Sequence, residues 1–83
     1  MNKRIFKNPV TPGEMLNEEF LRPLNLTQKA FANHIKVDTK TINRIINGHT
    51  AITPELAVKF AAAFSMSAEF WLNLQHSVDI SKV

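Results

Sequence analysis

Small oxygen-bearing side chains recur just before apolar runs of helical spacing, and they constrain this 83-residue chain more than any other feature. They are Thr11, Thr27, Asp38, Thr53 and Ser67. Such a residue accepts a hydrogen bond from a free N–H in the first helical turn and so starts a helix at that point. Thr11-Pro12-Gly13-Glu14 has the form of a capping box with proline at the first helical position, and Thr53-Pro54-Glu55 repeats the signal. Stop signals lie between the starts. The first helix is expected to reach about Leu21 and to stop before Pro23. Val37-Asp38 interrupts the second, and Asn47-Gly48 ends the third, with glycine left-handed. Ser65-Met66-Ser67 ends the fourth, and Glu69 stands in the first turn of the fifth. Each run has an apolar face: Phe31, Ala32 and Ile35; Ile42, Ile45 and Ile46; Leu56, Ala57, Phe60, Ala61 and Phe64; then Phe70, Trp71, Leu72 and Leu74. No segment alternates as a half-buried strand does. The expected fold is an all-α orthogonal bundle of five short helices joined by brief loops.

Composition narrows what such a bundle can do. Hydrophobic residues make up 45% of the chain, enough for a real core. A domain of this size hides only ~60% of its unfolded surface, which leaves little room for a deep enzyme cleft or a buried cofactor. The absence of cysteine excludes disulfides, thiolate metal sites and cysteine nucleophiles, and it favours a cytoplasmic protein stabilised by packing. No apolar run approaches the ~20 residues of a membrane helix, and residues 1–8 lack the apolar stretch of a signal peptide. His34, His49 and His76 are not spaced as metal ligands, and no hydroxyl stands beside a histidine base. We therefore expect no catalytic residues, no metal and no cofactor. The organisation expected is a basic N-terminal arm over 1–8 (Lys3, Arg4, Lys7), a helical domain over 9–78 and a tail over 79–83.

The net charge of +3 permits a polyanionic partner without specifying one. The stretch from Gln28 to Ile45 is more informative. Its two helices must cross steeply over a very short turn, so Ala32 is needed where the backbones approach, and Ile35, Val37, Ile42 and Ile45 fill the wedge. The outward face of the second of them is then Thr39, Lys40, Thr41, Asn43, Arg44 and Asn47, all hydrogen-bond donors and none acidic. A helix of this kind fits the DNA major groove, where Arg reads guanine and Asn reads adenine. The pattern is a helix-turn-helix with the third helix as its recognition helix.

The segment LTQKAFANHIKVDTKTINRIINGHTAIT resembles the DNA-binding core of Xre-type and lambda-type phage repressors. Its flanks, TPGEMLNEEFLRPLNLTQ and ITPELAVKFAAAFSMSAEFWLNLQ, are similar to the HigA-type antitoxins, also called virulence-associated protein I. The resemblance spans about Pro9 to Gln75 and implies a lambda-repressor-like domain. It also implies autorepression of a toxin–antitoxin operon and neutralisation of a ribonuclease toxin of the HigB type. Where the family's turn carries glycine this chain has Lys36, and a lysine at positive φ costs ~1 kcal/mol or more.

On this reading Gln28 contacts the DNA backbone and buttresses the recognition helix; otherwise it is a polar first-turn residue. Thr39, Lys40, Thr41, Asn43 and Arg44 form the reading surface, and which of them reads a base is left open. Asn47 and His49 suit phosphate contacts, with a helix-capping role the competing reading of Asn47. Phe70, Trp71 and Leu72 are expected to include a homodimer interface, which would set two recognition helices ~34 Å apart on a palindromic operator in double-stranded DNA. The alternative is that the tryptophan folds back over the first helix. Glu18 and Glu19 could face a basic toxin or simply water. The competing functions are a phage-type repressor with no toxin partner and a protein-interaction module that does not bind DNA.

Overall fold

The computed structural model describes residues 10–82. The basic arm expected over 1–8 lies outside the described residues. Helix α1 starts at Pro12, is α-helical over Pro12–Met15 and continues as a wider π-helical stretch over Leu16–Leu21. It is followed by α2 (Gln28–Ile35), α3 (Thr39–Ile46), α4 (Pro54–Phe64) and α5 (Ala68–Ser81).

The expected starts are made by the expected atoms, with one exception. Thr11 and Glu14 exchange bonds of 3.0 and 3.1 Å in a complete capping box. The hydroxyls of Thr27, Thr53 and Ser67 accept from the N–H groups of Ala30, Leu56 and Phe70. Asp38 precedes α3, but its carboxylate caps nothing; only its carbonyl accepts, from Thr41 and Ile42.

The ends of α1 to α4 share one device. At Asn25, Lys36, Gly48 and Ser65 the backbone turns left-handed, with φ of 56°, 62°, 75° and 55°. The next residue's N–H reaches back five positions: Leu26 to Leu21, Val37 to Ala32, His49 to Arg44 and Met66 to Ala61, all at 2.8 to 2.9 Å. This is the Schellman closure, which satisfies carbonyls that a helix end leaves free. Lys36 therefore adopts the conformation glycine would take, and the turn keeps its shape.

The π-helical stretch has a packing consequence. Five residues of ordinary α-helix would separate Leu16 and Leu21 by about 140° around the axis. The wider turn lets both enter the core, where both are buried. Around them an aromatic cluster ties four helices together. Phe20 of α1 stacks on Phe64 of α4 at 4.4 Å, Phe31 of α2 lies parallel to Phe64 at 5.3 Å, and Phe60 meets Phe31 at 5.4 Å.

Trp71 sits inside that cluster, and the expectation that it forms a dimer interface is overturned. It is fully buried, with Phe20, Phe60, Phe64 and Phe70 around its ring at 5.1 to 6.3 Å. It does fold back over the first helix, where Phe20 of α1 meets Phe60 and Phe64 of α4 around it. Ring contact and lost apolar surface offset the cost of its unpaired indole N–H. Phe70 and Leu72 beside it are half-buried. The expected tail also differs: α5 runs to Ser81, so the boundary drawn at residue 79 falls inside a helix. Gln75 donates to Asp79 at 3.0 Å, and the Ser81 hydroxyl donates to the Val78 carbonyl at 2.8 Å, which holds the last turns.

Candidate nucleic-acid interface

The corner between α2 and α3 is rigid for identifiable reasons. Ala32, Ile35, Ile42 and Ile45 are buried between the helices, with Val37 half-buried in the turn. Lys59 extends from α4 and donates to the Ile35 carbonyl at 3.1 Å, neutralising the carbonyl end of α2. On the far side, α1 presses against the end of α3 through Gly13. A methyl group there would lie 2.1 Å from the Ile45 carbonyl oxygen and 2.7 Å from the Ile46 Cα, so only glycine permits the approach. Gln75 of α5 accepts from the Ile52 N–H at 2.9 Å and secures the loop that follows α3.

On this support α3 turns its polar stripe outward. Lys40, Asn43, Arg44 and Asn47 are exposed, and Thr39 and Thr41 are half-buried at its margins. A chain of amides crosses the corner. Asn43 Nδ2 donates to Gln28 Oε1 at 3.2 Å, and Asn47 Nδ2 donates to Asn43 Oδ1 at 3.2 Å. Gln28, half-buried in the first turn of α2, is thus joined to the outward helix across fifteen residues of sequence. Asn47 also closes the helix, its N–H donating to the Asn43 carbonyl. Among the described residues no acidic side chain lies on α3; Asp38, just before it, is the nearest in sequence.

His49 stands apart from the stripe. It is exposed and lines a groove of about 300 Å³ between the start of α1, the loop after α3 and the end of α5. Glu18 is engaged, accepting from Arg22 at 3.2 Å and from Asn17 at 3.2 Å, whereas Glu19 is exposed. Among the described residues no cluster of histidines and acids could hold a metal, and no helix is long and apolar enough to cross a membrane.

The helix-turn-helix family matches residues 18–71, the span from α1 to the tryptophan of α5. Antitoxin HigA-1 of Vibrio cholerae is 46% identical over 74 residues, covering 89% of this chain and 70% of that protein. The chain belongs to the HigA family of helix-turn-helix antitoxins. Two solved structures of HigA proteins share its shape. Pseudomonas aeruginosa antitoxin HigA, solved with the higBA promoter, is 33% identical at a TM-score of 0.87, covering 90% of this chain and 82% of that one. An addiction-module antidote protein of the HigA family from Coxiella burnetii is 37% identical at a TM-score of 0.82, covering 88% and 79%. The HigA family is a family of binding proteins, not of enzymes.

The residues that set the pose of α3 in this HigA protein include three whose spacing carries no signal. Lys59 and Gln75 act across 24 and 23 residues of sequence. Gly13 stands in the quoted capping box, but its sequence neighbours say nothing about a carbonyl of α3.

Proposed function

We propose that this chain binds operator DNA as a dimer through α3, represses its own operon and neutralises a ribonuclease toxin of the HigB type. The observation that carries the reading is the acid-free, outward stripe of α3 on a corner braced from α1, α2 and α4. A related HigA protein, that of Pseudomonas aeruginosa, has been solved with its promoter, and this supports the assignment. Lys40 and Arg44 then meet the groove, Gln28 and Asn47 meet phosphate at either end, and His49 lies on the flank. Exposed Lys36 stands beside this surface and adds to its positive potential.

The dimer surface we propose is the outer stripe of α5. Leu72, His76 and Ile80 follow one another at four-residue intervals; Leu72 is half-buried and Ile80 is 59% exposed. Phe70 lies at the edge of this surface, and Trp71 supports it from inside. Glu19 is the acid of α1 that remains free for a basic toxin, since Glu18 is spent on Arg22.

The test is a mobility shift of the full chain on the DNA upstream of its own reading frame, with a purification alongside the product encoded next to it. A retarded band and a co-purifying second chain are expected. No shift at low salt would overturn the DNA-binding reading, and a shift without a second chain would leave a repressor with no toxin partner. Ile80→Asp is expected to move sedimentation toward monomer; a persistent dimer would remove α5 as the interface.

A further inference from the structure

We propose that Lys40 and Arg44 read guanines in each operator half-site, while Asn43 positions the helix and reads no base. The inference rests on the DNA-binding reading above and assigns roles within the same site.

Asn43 is the residue on α3 whose chemistry best matches adenine, because an amide can donate to N7 while accepting from N6. In this fold both ends of that amide are already engaged. Its nitrogen donates across the corner to Gln28, and its oxygen accepts from Asn47 one turn along. A short side chain tied at both ends lies against the protein as a strut. Turning it toward a base would break one or both bonds and loosen the link between α2 and α3.

Lys40 and Arg44 differ in reach and in freedom. Both are exposed, and among the described residues neither side chain makes a hydrogen bond or an ion pair. They stand four residues apart on one face, so their backbones are separated by about 6 Å along the axis. Base pairs stack every ~3.4 Å, and the two heads therefore reach bases one or two steps apart. A cation in the major groove meets guanine O6 and N7, both acceptors, whereas adenine puts a donor at N6 that repels it. The preferred half-site thus holds two guanines within about two base pairs.

The test is selection from a random duplex library by the full chain, repeated with Arg44→Gln, Lys40→Ala and Asn43→Ala. Expected for the native chain are paired half-sites, each with two guanines one or two steps apart. Arg44→Gln should convert one guanine to adenine, since glutamine carries the adenine-reading amide, and discrimination at that position should change by about tenfold to a hundredfold. Lys40→Ala should erase the preference at the other guanine. Asn43→Ala should weaken every half-site alike and leave the selected sequence unchanged. Enriched half-sites whose guanines are indifferent to Lys40 and Arg44, or whose adenine preference vanishes with Asn43→Ala, would overturn the assignment while DNA binding stands. No enrichment over non-specific duplex would overturn both.

Discussion

Helices α3 and α5 each carry apolar and polar residues in a short span, yet only α3 separates them. In α3, Ile42 and Ile45 are buried while Lys40, Asn43, Arg44 and Asn47 are exposed. In α5, Phe70, Trp71, Leu72, Leu74 and Ile80 are spread around the whole circumference of the helix, and of these only Trp71 is fully buried. A helix with one apolar stripe announces its inward face. A helix with apolar residues all round does not, and its inward face is chosen by what waits in the core. For α5 three phenylalanine rings wait, Phe20 of α1 and Phe60 and Phe64 of α4, and the largest side chain goes to them. The outward face of α3 is therefore set by its own periodicity, while the inward face of α5 is set by its partners.

The largest effect is expected at Trp71. Trp71→Ala should cost about 3–5 kcal/mol in urea unfolding, because it empties the aromatic cluster. A folded, merely monomeric product would return the tryptophan to an interface. Next comes Gly13→Ala, which should lose about 3 kcal/mol, or displace α1 from α3, since a methyl group cannot share space with the Ile45 carbonyl. Retained stability with unaltered DNA affinity would mean that α1 does not set the pose of α3. Arg44→Ala should weaken operator binding by ~1–3 kcal/mol while unfolding shifts by less than ~0.5 kcal/mol. Equal loss in both measurements would make α3 a structural helix like α5. Smallest is Lys36→Gly, expected to stabilise by up to ~1 kcal/mol, because glycine adopts a φ of 62° without a Cβ penalty. A destabilised variant would show that the lysine side chain contributes more to the turn than its backbone strain costs.

Legibility followed the range of the interaction. The helix starts at Thr11, Thr27, Thr53 and Ser67 were readable because each cap closes within three residues. Gly48 was readable as a helix end because glycine favours the left-handed conformation. Asn25 and Ser65 take the same conformation with no glycine to mark it, since satisfying the free carbonyls outweighs the cost. The outward stripe of α3 was readable from periodicity, but not the amide chain that divides its members into fixed and free. Asp38 looked like a cap and is none. The π-helical turn left no mark in sequence, because it answers the need to bury both Leu16 and Leu21 against other helices.

The amino-acid order, then, fixes where helices begin, that no strand forms among the described residues, and which face of α3 meets water. Local hydrogen bonds and one-helix periodicity suffice for these. Packing between helices fixes that Trp71 points inward, that Gly13 must be glycine, and that Lys59 closes α2. Each depends on atoms brought together from distant parts of the chain, and no short window of sequence contains both partners.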